Sequence, residues 1–222
     1  MSGPDLPVVG DTPSGRLIGT LAAAGALAGL LIVMVHVWAQ PRIQEHQARV
    51  LREAIQEVLA SPARTTALYL VDGALTDQLP AGADSLAFER VFLGFDESDR
   101  AVGVAIIGAK PGFQDVIQLI FGYDPGSDQV LGMKILQSKE TPGLGDKIEK
   151  DSVFVAAFEG VDTPLLGVKL GAGRGNDGEV DMITGATISS RAVIAIINER
   201  VDAMTPLLEA YIGRMAARDG GN

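Results

Sequence analysis

The sequence predicts an α+β chain: a single N-terminal transmembrane helix, then a mainly antiparallel-sheet domain that ends in a C-terminal helix. Three observations carry this. Leu17 to Ala39 is a run of 23 residues without a formal charge. Between residues 67 and 136, short apolar runs follow one another with turn residues between them, the pattern of strands joined by hairpins. From about Ile188 to Ala217, apolar residues recur at helical spacing.

Taken in order, residues 1–16 are polar and hold several Pro and Gly, a composition that predicts a disordered tail. At about 1.5 Å per residue, the apolar run 17–39 spans roughly 34 Å, enough to cross a hydrocarbon core of about 30 Å. Arg16 flanks one end, and Trp38 suits an interface at the other. The alternative is a cleaved signal peptide with Val37-Trp38-Ala39 at the cut; the run exceeds the usual signal core, which favours a retained anchor. Gly25 and Gly29, with Ala22 and Ala26, either let a second helix approach or reflect ordinary membrane-helix composition. His36 reads as an interfacial imidazole rather than a haem ligand.

Residues 40–62 read as an amphipathic connecting helix. Pro41 opens the segment, Ile43, Val50, Leu51, Ile55, Val58 and Leu59 form its stripe, and Pro62 ends it. The domain at 63–222 then begins. Strands are expected at Ala67–Val71, Phe88–Phe95, Val102–Ile107, Val116–Phe121 and Val130–Leu136, with Asp124-Pro125-Gly126 as one turn signal. A short helix is expected at Ser152–Phe158 and further strands at Leu166–Leu170 and Glu179–Ile183, with a glycine-rich loop from Gly171 to Gly178 between them. The last helix should bend near Pro206.

Composition removes whole classes of function. Lys+Arg number 18 against 28 Asp+Glu, a net charge of −10, which argues against a nucleic-acid partner. The absence of cysteine excludes disulfides, thiolate zinc sites and Cys-ligated iron–sulfur clusters, and two histidines cannot build a His-rich metal site. Redox chemistry in this chain would need an organic cofactor or a lone haem. Asp5 and Asp11 against Arg16 give the tail −1, so −9 falls on residues 40–222. Such a domain resists anionic lipid surfaces.

Two segments carry chemistry. In Asp181-Met182-Ile183-Thr184-Gly185-Ala186-Thr187, a strand feeds a small-residue turn that opens a helix. Free amides and the dipole at a helix start favour an anion, and Gly185 and Ala186 leave room for a phosphate. On these residues alone, a hydroxyl that merely caps the helix is the favoured explanation. The second segment is Glu140-Thr141-Pro142-Gly143-Leu144-Gly145-Asp146-Lys147. Its proline and glycines fix a tight turn that can touch a flat ligand, with Leu144 as an apolar contact and Lys147 as a positive charge. An exposed connecting loop would look the same.

Together the two segments are specific, because there the chain resembles the FMN-binding G subunit of Rnf complexes, membrane ferredoxin:NAD⁺ oxidoreductases that couple electron transfer to ion movement. The C subunit of the sodium-translocating NADH:quinone reductase (Nqr) is similar. In both, a motif of the form Asp-x-x-Ser/Thr-Gly-Ala-Thr receives FMN through a phosphoester on its last threonine, here Thr187. Pro111-Gly112-Phe113, Phe121-Gly122-Tyr123-Asp124 and the single N-terminal span also resemble the Rnf protein. The resemblance covers roughly residues 15–215, least clearly at 64–100.

The resemblance implies covalent FMN on Thr187, added by a separate flavin transferase that Asp181 helps to engage, with Thr184, Gly185 and Ala186 shaping the turn. It implies that Glu140, Thr141, Gly143, Leu144 and Gly145 border the flavin ring, with Lys147 beside them. It implies an electron-transfer subunit without independent catalysis, working with the complex's membrane and iron–sulfur subunits. It places the chain in the bacterial inner membrane with its domain on the periplasmic side. The arginines at 42, 49 and 52 favour the opposite orientation, a rule that large translocated domains escape. An Nqr C-subunit role, a membrane-anchored FMN-binding regulatory module and a non-redox binding module stay open as alternatives.

Overall fold

The computed structural model describes residues 14–80 and 82–219; the tail expected at 1–16 lies outside them except for Ser14–Arg16. Contacts divide the chain into two units, Met1–Arg49 and Val50–Asn222.

The first unit consists, among the described residues, of most of helix α1 (Ser14–Val58). The apolar span expected at 17–39 and residues 40–58 of the connecting segment expected at 40–62 share this one helix, and Pro41 lies inside it. The helix holds an uncharged stretch long and apolar enough to cross a bilayer. Its large apolar side chains between Leu17 and Trp38 are exposed, and the Arg42 guanidinium lies 5.2 Å from the centre of the Trp38 ring.

In the second unit, a seven-stranded sheet is built from β1 (Arg64–Val71), β2 (Ala74–Thr76), β3 (Arg90–Phe95), β4 (Ala101–Pro111), β5 (Val116–Asp124), β6 (Gln129–Gln137) and β7 (Val161–Asp162). The spatial order is β2-β1-β3-β4-β5-β6-β7, and every neighbouring pair is antiparallel. A separate parallel pair joins β8 (Leu166–Lys169) to β9 (Glu179–Met182). Two short helices, α2 (Lys147–Lys150) and α3 (Ser152–Ala156), follow β6, and α4 (Thr187–Asp219) closes the chain. α4 contains Pro206 without ending there.

The central strands read as unbroken apolar runs because both faces of the sheet are covered. On one face Val104, Ile106, Leu119, Phe121 and Tyr123 pack with Val193, Ile196, Ile197 and Val201 of α4. On the other, Ala105 and Ile120 pack with Ala54, Ile55 and Val58 from the last turns of α1 and with Leu59 just beyond. Period-2 alternation therefore sends successive residues of β4 and β5 into two different apolar layers. Asn198 of α4 ties the chain ahead of β8 in place, donating to Leu165 O at 2.9 Å and accepting from Leu165 N at 2.8 Å.

Candidate functional site

The chain leaves β9 at Met182 and turns at once into α4. The amide of Ala186 donates to Ile183 O at 3.0 Å, closing a turn whose third residue, Gly185, has φ +85. A side chain at that φ is strained, so the glycine follows from the turn. Ala186 precedes the helix and has no side-chain oxygen with which to cap it. Ser190, buried, spends its hydroxyl inside the turn, donating to Ala186 O at 3.0 Å and accepting from Ile183 N at 3.2 Å. Thr187 is the first helical residue. Its hydroxyl points back toward Ile183 O at 3.5 Å, the outer limit of a hydrogen bond, and the residue is partly exposed. The capping explanation of the threonine therefore weakens: its oxygen faces backward along the chain and does not accept from the amides of the first turn.

Thr187 lies at a cavity of about 280 Å³ lined by Phe113, Leu144, Gly145, Gly185, Ala186, Thr187, Ile188 and Ser189. Three of these are large, apolar and exposed: Phe113 at 65%, Leu144 at 51% and Ile188 at 51%. None of the lining residues is charged. Pockets that enclose a free small ligand span roughly 300–1,000 Å³. This one is smaller and apolar, a shelf suited to one side of a flat aromatic group held by another means.

Behind the cavity lies Glu140, 5% exposed. Its Oε1 accepts from the amides of Gln114 at 3.0 Å and Asp115 at 3.3 Å, and its Oε2 accepts from the Ser189 hydroxyl at 2.7 Å. Burial alone would raise the carboxyl, but the Gln114 amide, the Ser189 hydroxyl and the Asp115 amide outweigh it and hold the group below the ordinary glutamate range. Thr141 is also engaged with the protein, its hydroxyl donating to Oε1 of the exposed Gln114 at 2.6 Å.

A second, larger cleft of about 460 Å³ lies beside the same turn, lined among others by Val153, Leu170, Glu179, Asp181 and Thr184. The residues expected at the site thus divide. Leu144, Gly145, Gly185, Ala186 and Thr187 come together at the smaller cavity, whereas Asp181 and Thr184 line the larger cleft. Glu140 and Thr141 have side chains engaged with protein partners. Gly143 is an exposed turn residue with φ +77, and Lys147 opens α2 without lining either cavity. Asp146, beside it, is held low by its hydrogen bond from Lys150, at 2.6 Å. Sequence reasoning placed Phe113 in a motif but not at the site, and it missed Gln114 and Ile188 as participants. The signal for Phe113 and Ile188 was a large apolar residue beside a turn.

Known proteins resemble this chain across the region that holds the two cavities. The FMN-binding domain family matches residues 112–202. The chain is 30% identical over 187 residues to the G subunit of the ion-translocating oxidoreductase complex of Methanosarcina acetivorans, covering 84% of this chain and 92% of that one. It is 33% identical over 183 residues to the protein of the same description from Photorhabdus laumondii, covering 79% and 82%. Among solved structures, NqrC of Shewanella oneidensis superposes with a TM-score of 0.55 at 20% identity, covering 75% of this chain and 97% of that one. The likeness supports an NqrC-like fold.

Proposed function

Because the chain belongs to the family of G subunits of ion-translocating oxidoreductase complexes, we propose that it is the electron-transfer subunit of such a complex, an Rnf complex, with FMN esterified to Thr187. The observation that carries the attachment is the Thr187 hydroxyl itself. It stands at the start of α4 with one long hydrogen bond, beside an uncharged cavity edged by Phe113, Leu144 and Ile188.

FMN, when bound, supplies a ring system that takes up and passes on electrons. The chain's own residues do the rest. Thr187 Oγ1 contributes the ester oxygen. The amides of Thr187, Ile188 and Ser189 precede the first intrahelical bond of α4, from Ser190 N to Ala186 O at 2.9 Å, and with the helix dipole they favour the single negative charge that a phosphodiester keeps. Gly185 and Ala186 leave space for the phosphate. Phe113, Leu144 and Ile188 would hold one side of a bound ring and shield it from water. A tethered group cannot dissociate, so an open shelf is enough and an edge remains accessible to redox partners. Asp181 and Thr184, exposed on the neighbouring cleft, are placed to meet the flavin transferase and leave the ring's cavity clear.

The apolar segment of α1 anchors the chain in the inner membrane, and the domain faces the periplasm. The other membrane and iron–sulfur subunits of the complex supply and remove electrons, and the chain alone catalyses no reaction. Intact mass, or in-gel fluorescence after denaturation, tests the attachment. Coexpression with a flavin transferase should add one FMN to the wild-type chain, and Thr187→Ala should abolish the adduct completely while the fold survives. An adduct that persists in the variant would refute the assignment of this residue. Protease treatment of spheroplasts should cleave the domain; a protected domain reverses the orientation. Affinity purification from native membranes should recover an iron–sulfur subunit, and recovery of the chain alone would count against a complex.

A further inference from the structure

We propose that Glu140 is the positioning residue of the Thr187 site: a buried carboxylate that clasps together the three chain segments from which the cavity is built. The inference rests on the reading of Thr187 as the attachment point for its meaning, but the clasp is a property of the chain itself.

The partners of Glu140 are distant in sequence. Gln114 and Asp115 lie 26 and 25 residues before it, and Ser189 lies 49 residues after it. Each joined segment contributes one exposed apolar side chain to the cavity. Phe113 comes from the turn between β4 and β5, Leu144 from the loop after β6, and Ile188 from the first turn of α4. Thr141 reinforces the first two segments through Gln114, while Oε2 of Glu140 carries the link to α4.

Among the described residues, Glu140 is the one charged side chain in the buried set. A buried carboxylate is tolerated where its acceptor sites are filled, and two amides and a hydroxyl fill them here. The surrounding sequence is shaped to admit it. A methyl group on Gly112 would come within 2.5 Å of Oε1, and one on Gly145 within 2.3 Å of Oε2. At Gly145 the space a side chain would take is filled by Glu140 alone, and at Gly112 it is filled by the carboxylate together with Ile117, whose Cδ1 would also lie within 2.5 Å. Glu140 acts through its three partners: it sets the angle between the Phe113–Leu144 shelf and the helix start that bears Thr187.

The test uses the full-length chain in detergent, with Glu140→Ala, Glu140→Gln and Ser189→Ala. The first readout is hydrogen exchange on protein prepared without a flavin transferase. Glu140→Ala should speed exchange about tenfold or more at 112–115, 140–146 and 187–190 together, with β1 and β3 unchanged. Glu140→Gln should retain most of the protection, because its oxygen can accept from both amides while its nitrogen donates to Ser189. A rise confined to 140–146 would make Glu140 a local loop clamp and overturn the proposal. The second readout is visible circular dichroism and fluorescence anisotropy on flavinylated protein. Both signals should fall in Glu140→Ala and Ser189→Ala and persist in Glu140→Gln. Wild-type signals in Glu140→Ala would overturn the positioning role. If Glu140→Ala does not fold, Ser189→Ala decides, since it removes one arm only; unchanged exchange at 187–190 in that variant overturns the clasp. A wild-type chain that accepts no flavin on Thr187 would sink the functional reading and leave the exchange test of the clasp standing.

Discussion

Two glutamates beside the Thr184–Ala186 turn use the same chemistry at different range. Glu179, on the larger cleft, accepts from Arg174 N at 2.6 Å, Gly175 N at 3.1 Å and Asn176 Nδ2 at 2.6 Å, all within five residues of itself. Glu140, behind the smaller cavity, gathers partners 25 to 49 residues away. For both, burial pushes the carboxyl up and hydrogen bonds from backbone and side chains pull it below its ordinary range. The number of bonds does not separate them; the sequence distance over which the bonds act does. Glu179 closes the glycine-rich loop on itself. Glu140 assembles a site, because segments that share only a carboxylate depend on it for their mutual placement.

Thermal melts should break the two glutamates apart most visibly. Glu140→Ala empties a buried acceptor and orphans the Gln114 and Asp115 amides, a loss of roughly 2–3 kcal/mol. For a chain of this size, that is about 5–10 °C in midpoint. Glu179→Ala, at the half-buried start of β9 with partners only on the exposed glycine-rich loop, should leave the midpoint within measurement error. Equal shifts in the two variants would erase the distinction. Acid sharpens it next. The native Glu140 carboxyl binds protons less readily than the unfolded one, whose ordinary value is 4.5. Its contribution is therefore present above that value and is lost as the pH falls through the lower native one. The midpoint gap between wild type and Glu140→Gln should shrink as the pH falls below 4.5. Asp96, Asp146 and Glu179 are also held low, so both curves fall while the gap reports Glu140. A gap constant with pH would contradict this. The smallest effect belongs to the cavity rim. Phe113→Ala and Leu144→Ala remove exposed side chains and should change stability by within about 0.5 kcal/mol. Each should raise the fluorescence of flavinylated protein by freeing the ring. Unchanged fluorescence would move the ring off this shelf.

What could be read from the sequence follows the same division between local and distant. The turn at Thr184–Ala186 and the strand feeding it were legible because strand, glycine and helix start lie side by side in the chain. The antiparallel order from β3 to β6 was legible because each hairpin is local. β2 and β7, three and two residues long, carry too little periodicity to be seen. The parallel pairing of β8 with β9 depends on a crossover through the glycine-rich loop. Pro41 suggested a boundary, yet α1 runs through it: an interior proline removes one amide donor and crowds the carbonyl four residues earlier, a local cost that the helix on either side absorbs. Most telling is Glu140. Its carboxylate faces Gln114, Asp115 and Ser189, and no window of sequence contains all three.

The last turns of α1 have a practical corollary. Ala54, Ile55 and Val58, with Leu59, fill one whole layer of the domain's interior against Ala105 and Ile120. A water-soluble fragment trimmed at Pro62 would strip that layer bare and should precipitate. One begun at Val50 would keep its own lid and discard only the greasy stalk.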